Sequence, residues 1–463
     1  MDSEDKRTET GGGNRFWNFI DRIEGDKVVW IIVIMLILIS ALAIFSSTSA
    51  LTGDSKSRVD MLKTHSLYIG IGLGLIYLLY SIRSIKVFRI LSQAGFLLSL
   101  GLLIVMDTGI DLGFVRPANY NDATRTLLIF NKFQFHVFEF VKVAMVMYLA
   151  WALHSYQQDL ECMNSGKKST VFKWANALAR HQKLKFLKNP IWKRILYLYV
   201  PVALITALSK PGSNSSMIFI GAVSLVMLWI GRMPKRELCI MVGAAALGLG
   251  ALIGLYKISD GKIGAGMRID TMIARITDDY SIERLIEIEN DKNLGKKSPE
   301  WYKCRDKIKQ PYTAYIAVHQ GGIIGKGSGN STQKYIVAHI YSDYMFSFLV
   351  EEYGMLGGIL IIFLFLSLLA RGSMIAKMCQ NDFAKLAVGG LTFMITAQAF
   401  MHIMVNVDMG VMTGQTLPLI SDGRFAFLMF CIAFGIILSI SRMANNQIKA
   451  AEAEANPLTT DSK

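Results

Sequence analysis

Hydrophobic and polar positions alternate along this chain on a coarse scale. Ten apolar runs, at 28–45, 67–82, 90–105, 138–153, 195–208, 217–230, 238–256, 344–370, 386–405 and 425–440, are separated by polar stretches. A membrane-spanning helix takes roughly 20 apolar residues, so several runs borrow flanking polar positions. The pattern predicts an all-α integral membrane protein with ten transmembrane helices. It divides the chain into a tail at 1–27, a ten-span domain at 28–443 and a tail at 444–463. The first run lacks a small-residue cleavage pattern and is read as an uncleaved span. Between spans seven and eight lies one large loop, 257–343.

Composition agrees. Of 463 residues 52% are hydrophobic and 18% charged, against about 25% charged in soluble domains. Disordered, collagen-like and disulfide-stapled chains are excluded. The five cysteines show no CxxC or CxxH spacing, which argues against a zinc site or redox pair.

A net charge of +14 raises the question of nucleic acid, and the map of basic residues answers it. With both termini in the cytoplasm, the six inside segments hold 26 Lys and Arg and the four short outside loops hold eight. Positive residues collect on the cytoplasmic side, so this orientation is expected, with the 257–343 loop extracytoplasmic. The cytoplasmic stretch 154–194 mixes nine basic residues with Trp, Phe and Leu, a composition suited to anionic lipid. No nucleic-acid partner is expected.

Charged residues inside spans are expensive and are functional-site candidates. Glu139 and Lys142 stand three apart and share a helical face. They read either as an ion pair that positions helices or as a contact for a phosphorylated headgroup. Asp343 stands where the long loop becomes the eighth span, with Glu351 and Glu352 about 12–13 Å further along a regular helix. A carboxylate there is placed either to cap the helix or to act as a general base. The two glutamates read as structural partners of cations on other spans. The glycine-rich run 320–334 fails the Walker and GxGxxG patterns, leaving a flexible loop or a backbone able to approach pyrophosphate.

Three blocks in order resemble the SEDS family, the polytopic peptidoglycan polymerases of shape, elongation, division and sporulation. FHVFEFVKVAMVMYLA at 135–150 is similar to the family block that carries Glu and Lys, here Glu139 and Lys142. GGIIGKGSGNSTQK followed by YSDYMFSFLVEEYG resembles the Gly-Asn-Ser-x-Gln-Lys loop and the catalytic segment after it. TGQTLPLISDG at 413–423 resembles the block before the last span. The resemblance covers about residues 28–443 and is nearest to the division-type branch, with the elongation-type branch next. Departures are Arg125-Thr126 for Arg-Trp, residues 210–215 for Glu-Pro-Asp-x-Gly-Thr, and Ala338-His339 for Pro-Glu. His402 replaces an Asn, and Asp422-Gly423-Arg424 replaces Tyr-Gly-Gly.

The resemblance implies polymerisation of lipid II into glycan strands at the outer face of the inner membrane during division. Asp343 is then the general base on the acceptor GlcNAc 4-hydroxyl, inversion occurs at the anomeric carbon, and undecaprenyl pyrophosphate leaves. Arg125, Glu139, Lys142, Gln333, Lys334 and Ser421 are implied as substrate-binding residues. Glu351, Glu352, Asn330 and Pro418 are implied as structural ones. A divalent cation, Mg or Mn, is a further expectation for offsetting pyrophosphate charge. The implied partners are a class B penicillin-binding protein, which supplies crosslinking, other divisome membrane proteins, and an undecaprenyl-linked glycan chain. A lipid II flippase using Glu139, Lys142, Glu351 and Glu352 as a relay, and a non-catalytic divisome scaffold, are the competing functions.

Overall fold

The computed structural model describes residues 24–47, 58–111, 113, 115–120, 123–129, 133–166, 171–172, 189–210, 212–258, 282–291, 298–336, 340–410 and 413–455. Each apolar run falls on a helix: α1 Lys27–Ser47, α2 Arg58–Ser81, α3 Ile85–Thr108, α4 Val137–Asn164, α5 Pro190–Ser209, α6 Asn214–Ile230 and α7 Lys235–Ile258. Three short helices follow, α8 Ile282–Asn290, α9 Pro299–Lys307 and α10 Lys309–Gly321, and then α11 Ile340–Asp343. The long helices α12 Met345–Met378, α13 Asp382–Asn406 and α14 Arg424–Ala455 complete the chain.

Among the described residues, eight helices are long and apolar enough to cross a membrane; α6, also apolar, is shorter. This is a multi-pass helical membrane protein. Local chemistry sets the helix starts. Asn189, Ser213 and Asn381 each accept a backbone N–H in the first turn of α5, α6 and α13, and Pro190 occupies the first position of α5, where its missing N–H is harmless.

One element escaped the periodicity reading. A three-stranded antiparallel sheet, β1 Val115–Tyr120, β2 Ala123–Ile129 and β3 Phe133–His136, sits between α3 and α4. Its strands are too short for an alternation to stand out against the neighbouring apolar runs. β3 runs straight into α4, and Phe135 packs on Phe425 of α14 at 4.3 Å between ring centroids. The sheet thereby fixes the end of α4 that carries Glu139. The 257–343 loop is likewise more than a connector. α8 and α9 build a small core from Leu285, Ile288 and Cys304, while α10 packs on α12 so closely that a Cβ on Gly321 would lie 2.1 Å from the Val350 carbonyl oxygen.

Burial separates inner from outer helices. In α4, α13 and α14 the apolar window is 78%, 61% and 89% buried, whereas in α2 and α3 it is 22%. The inner helices α4 and α13 carry buried polar side chains, among them Lys142, Gln398 and Asn406, that neighbouring helices rather than lipid can satisfy.

Candidate active site

Asp343 is the last residue of α11, half-buried, and the chain breaks at Tyr344 before α12 begins. Tyr344 precedes α12 without a side-chain capping bond and separates it from α11, so residues 343 to 352 are not one continuous helix. The Ser342 hydroxyl donates to Asp343 Oδ1 at 3.0 Å.

Backbone contacts hold the junction from two sides. Asp422 donates its N–H to the Tyr341 carbonyl at 2.9 Å. Asn406, at the end of α13, donates from Nδ2 to the Asp343 carbonyl at 3.2 Å and accepts the Ser347 N–H on Oδ1 at 2.9 Å. One turn earlier, His402 Nε2 accepts the Phe346 N–H at 3.4 Å. Two α13 side chains therefore satisfy first-turn donors that α12 would otherwise leave unpaired. His402 Nδ1 contacts the Gln415 carbonyl at 2.8 Å.

The same face of α13 continues to Gln398, which meets Lys142. Lys142 is 3% exposed and donates to Glu139 at 2.8 Å, Gln398 at 2.6 Å and Gln415 at 2.9 Å. Gln415 donates in turn to Ser216 of α6 at 3.3 Å. The void beside Lys142 is about 10 Å³, room for one water at most. Glu139, Lys142 and the 413–423 block thus form one network with the elements that hold Asp343. Pro418 and Ser421 lie buried in that block, where Ser421 Oγ accepts the Leu417 N–H at 3.0 Å. Leu419 sits at φ 60° within this turn, a conformation costly for a side chain with a Cβ. Ser40 of α1 donates to the next carbonyl, Ile420, at 2.9 Å and helps hold the turn there.

Glu351 and Glu352 belong to a second cluster. Glu351, 0% exposed, accepts Lys326 Nζ at 2.6 Å, the Thr332 N–H at 3.0 Å and the Ser331 hydroxyl. Glu352, 1% exposed, accepts the Ser46 hydroxyl at 2.6 Å and the Gly329 N–H at 3.0 Å. The glycine-rich run is therefore a folded strap across α12. Its Lys326 and Gly327 N–H groups donate to the Glu351 and Glu352 carbonyls, and Met355 returns a bond to Gly322. This exchange occurs where α12 breaks at Gly354, φ 71° and ψ −172°. Lys334 Nζ donates to the Gly329 carbonyl at 2.6 Å, Asn330 Nδ2 to the Lys326 carbonyl at 3.0 Å, and the buried Gln333 lies near Gln320 at 3.5 Å. Among the described residues no hydrogen bond joins this cluster to the Lys142 network.

Arg125 lies in β2 at the register shift between Ala118 and Asn119 of β1; its side chain is outside the described residues, as are Ala338 and His339. No three His, Cys, Asp or Glu side chains converge on a metal position among the described residues. Burial raises the Asp422 carboxyl above its ordinary range, with Arg424 partly opposing.

Gln398, Asn406 and Gln415 were not singled out from sequence. Their signal was present: Gln398, His402 and Asn406 are spaced four apart, a polar ladder on one face of an otherwise apolar helix.

Residues 26–446 match the FtsW/RodA/SpoVE family, described as cell cycle proteins. The chain belongs to this family. A probable peptidoglycan glycosyltransferase FtsW of Coxiella burnetii is 24% identical over 90% of this chain and 96% of its own length. Stage V sporulation protein E of Bacillus subtilis is also 24% identical, over 90% and 97%. Among solved structures, a chain from a peptidoglycan synthase complex that coordinates polymerisation and crosslinking matches with a TM-score of 0.55 at 20% identity, covering 91% of this chain and 98% of its own. The rod shape determining protein RodA of Thermus thermophilus matches with a TM-score of 0.52 at 18% identity, over 91% and 98%. These likenesses run nearly end to end, so the fold is that of the family throughout.

Proposed function

We propose that this chain is a peptidoglycan glycosyltransferase that polymerises lipid II at the outer face of the inner membrane, with Asp343 as the general base. The observation that carries the reading is the placement of Asp343. It is a half-buried carboxylate at a break between two helices, its backbone held by Asn406 and through Tyr341 by Asp422. A base must be held in one place and still be reachable by substrate. Here the backbone is fixed by bonds from other elements while the residue itself is only half-buried.

In the proposed reaction the oxygen of the acceptor GlcNAc 4-hydroxyl attacks the anomeric carbon of the donor MurNAc. Asp343 takes the hydroxyl proton, the bond from that carbon to the pyrophosphate oxygen breaks, and undecaprenyl pyrophosphate leaves with the electron pair. Lys142, fully engaged with Glu139, Gln398 and Gln415, acts by positioning α4, α13 and the 413–423 block about the site. Lys334 and Gln333 order the glycine-rich strap across α12, whose backbone donors are engaged by Glu351 and Glu352. A divalent cation carried on the pyrophosphate would offset its charge, with oxygen ligands drawn mainly from phosphate and water.

Division is the proposed setting, with a class B penicillin-binding protein crosslinking the strands made here and the division septum as the place. The separation of Glu139 and Lys142 from Glu351 and Glu352 into two clusters argues against a relay for lipid transport. Reconstituted protein supplied with labelled lipid II is expected to make polymer, and Asp343→Ala to make none. Polymer from Asp343→Ala, with the wild-type fold retained, overturns the assignment of the base. Movement of lipid II across liposomes without polymer favours a flippase.

A further inference from the structure

A second cavity lies at the other end of the molecule from Asp343. It measures about 500 Å³ and is bounded by the α2–α3 turn, the start of α13 and the part of α14 beyond its apolar stretch. Asn381, on its wall, lies past the far end of the 34-residue helix that begins just after Asp343, roughly 50 Å along a regular helix. Its lining residues all lie outside the apolar runs of their helices, which puts it at the level of the membrane surface.

Four cationic side chains line it: Arg83, Lys86, Arg89 and Arg442. Among the described residues no carboxylate lines it. Nearby acids are already engaged: Glu24 accepts from Asn446 at 3.2 Å, Asp26 pairs with Arg371, and Asp382 pairs with Lys385 at 3.2 Å. Arg442 stacks on Tyr80 at 4.5 Å and donates to the Ile82 carbonyl at 3.2 Å. Arg89 is held by His154 at 2.8 Å and Asn381 at 3.2 Å, and its buried Nε has no partner among the described residues.

Two helix N-termini add to this field. Ser84 begins α3 without a side-chain cap, and Asn381 begins α13; both line the cavity. Helix N-termini present unpaired N–H groups and a positive dipole end, the elements of an anion site. Arg89 and Arg442, fixed by their own bonds, provide a preorganised floor, while the exposed Arg83 and Lys86 stand at the rim. Four like charges around one cleft repel one another unless an anion sits among them.

We propose that this cleft binds a phosphate-bearing ligand at the membrane surface opposite Asp343. The chemistry is that of a phosphodiester or phosphomonoester: multiple charge-assisted N–H donors around a volume large enough for a headgroup. Two sources present that chemistry, an anionic lipid headgroup and a soluble phosphate compound.

The test uses the full chain with Arg83→Ala/Lys86→Ala, changes at two exposed rim positions. A control, Lys235→Ala/Arg236→Ala, removes two exposed charges at the start of α7. In the lipid arm, the proteins are placed in nanodiscs of phosphatidylcholine with phosphatidylglycerol, and the lipid retained after release is counted by native mass spectrometry. In the soluble arm, inorganic phosphate is titrated against chloride at matched ionic strength in phosphatidylcholine discs, with thermal stability as readout. In one arm the rim variant is expected to lose binding about tenfold or more, with the control staying at the wild-type level. Retention in the first arm assigns the lipid, and stabilisation in the second assigns the soluble ligand. Equal loss in the control shows general surface charge and overturns the proposal, as does no pocket-dependent binding in either arm.

Discussion

Asn406 bridges the end of α11 to the start of α12, giving its Nδ2 to the Asp343 carbonyl at 3.2 Å and taking the Ser347 N–H on Oδ1 at 2.9 Å. One side chain at the end of α13 thus sets the angle at which Asp343 leaves its helix. Asn406→Leu should remove both bonds, leaving a buried donor and acceptor unpaired, at a cost of about 1–3 kcal/mol. Polymerisation is expected to fall more than stability does, because a displaced base fails before the bundle unfolds. Measuring melting temperature and turnover on the same preparation checks this; unchanged turnover would count against a positioning role.

Asp343→Asn keeps the size and the backbone bonds of the junction and removes only the basic oxygen. Loss of a general base is worth about 10²–10⁴-fold in rate. Turnover of labelled lipid II should therefore drop by that range with the melting temperature nearly unchanged.

Lys142→Met leaves Glu139 facing Gln398 and Gln415 without a cation. Breaking a buried pair from one side costs about 3–5 kcal/mol. Adding Glu139→Gln to it should recover part of the loss, because the uncompensated charge goes. A double variant less stable than Lys142→Met would show that Glu139 is held by something other than Lys142.

Gly354→Ala tests the join between the strap and α12. The left-handed backbone costs a non-glycine residue roughly 1–3 kcal/mol, and the added Cβ would lie 2.2 Å from the Ile323 carbonyl oxygen. Faster hydrogen exchange at 322–334 than in wild type is expected. Unchanged exchange there would mean that the strap is held without this contact.

Asp422→Asn keeps the backbone bond to Tyr341 and removes a titration. Burial raises the folded-state pKa of this carboxyl, so the folded form holds the proton more tightly than the unfolded form, whose pKa is about 3.9. The native carboxyl is therefore no burden below that value and destabilises progressively as pH rises through the folded pKa. The variant should melt higher than wild type near neutral pH, and the gain should vanish in acid. A gain equal at all pH values would place its cause elsewhere.

The sequence by itself determined the class of protein and the helices. A run of apolar residues long enough to cross a bilayer has few alternatives in lipid, where backbone groups must be satisfied within the segment; the ten runs fall on helices, and among the described residues eight of these are long and apolar enough to cross a membrane. It also marked Asp343, Glu139, Lys142, Glu351 and Glu352, because a charge in or beside a span is costly wherever the helix packs.

Only the tertiary structure decided which charge meets which partner. Lys142 and Gln415 are 273 positions apart, and Ser46 and Glu352 are 306 apart. No local pattern encodes such pairings, since they depend on how inner helices stack. For the same reason the glycine-rich run looks like a free loop in sequence. It becomes a strap only because two buried carboxylates on α12 face it and Gly354 lets the helix open to receive it.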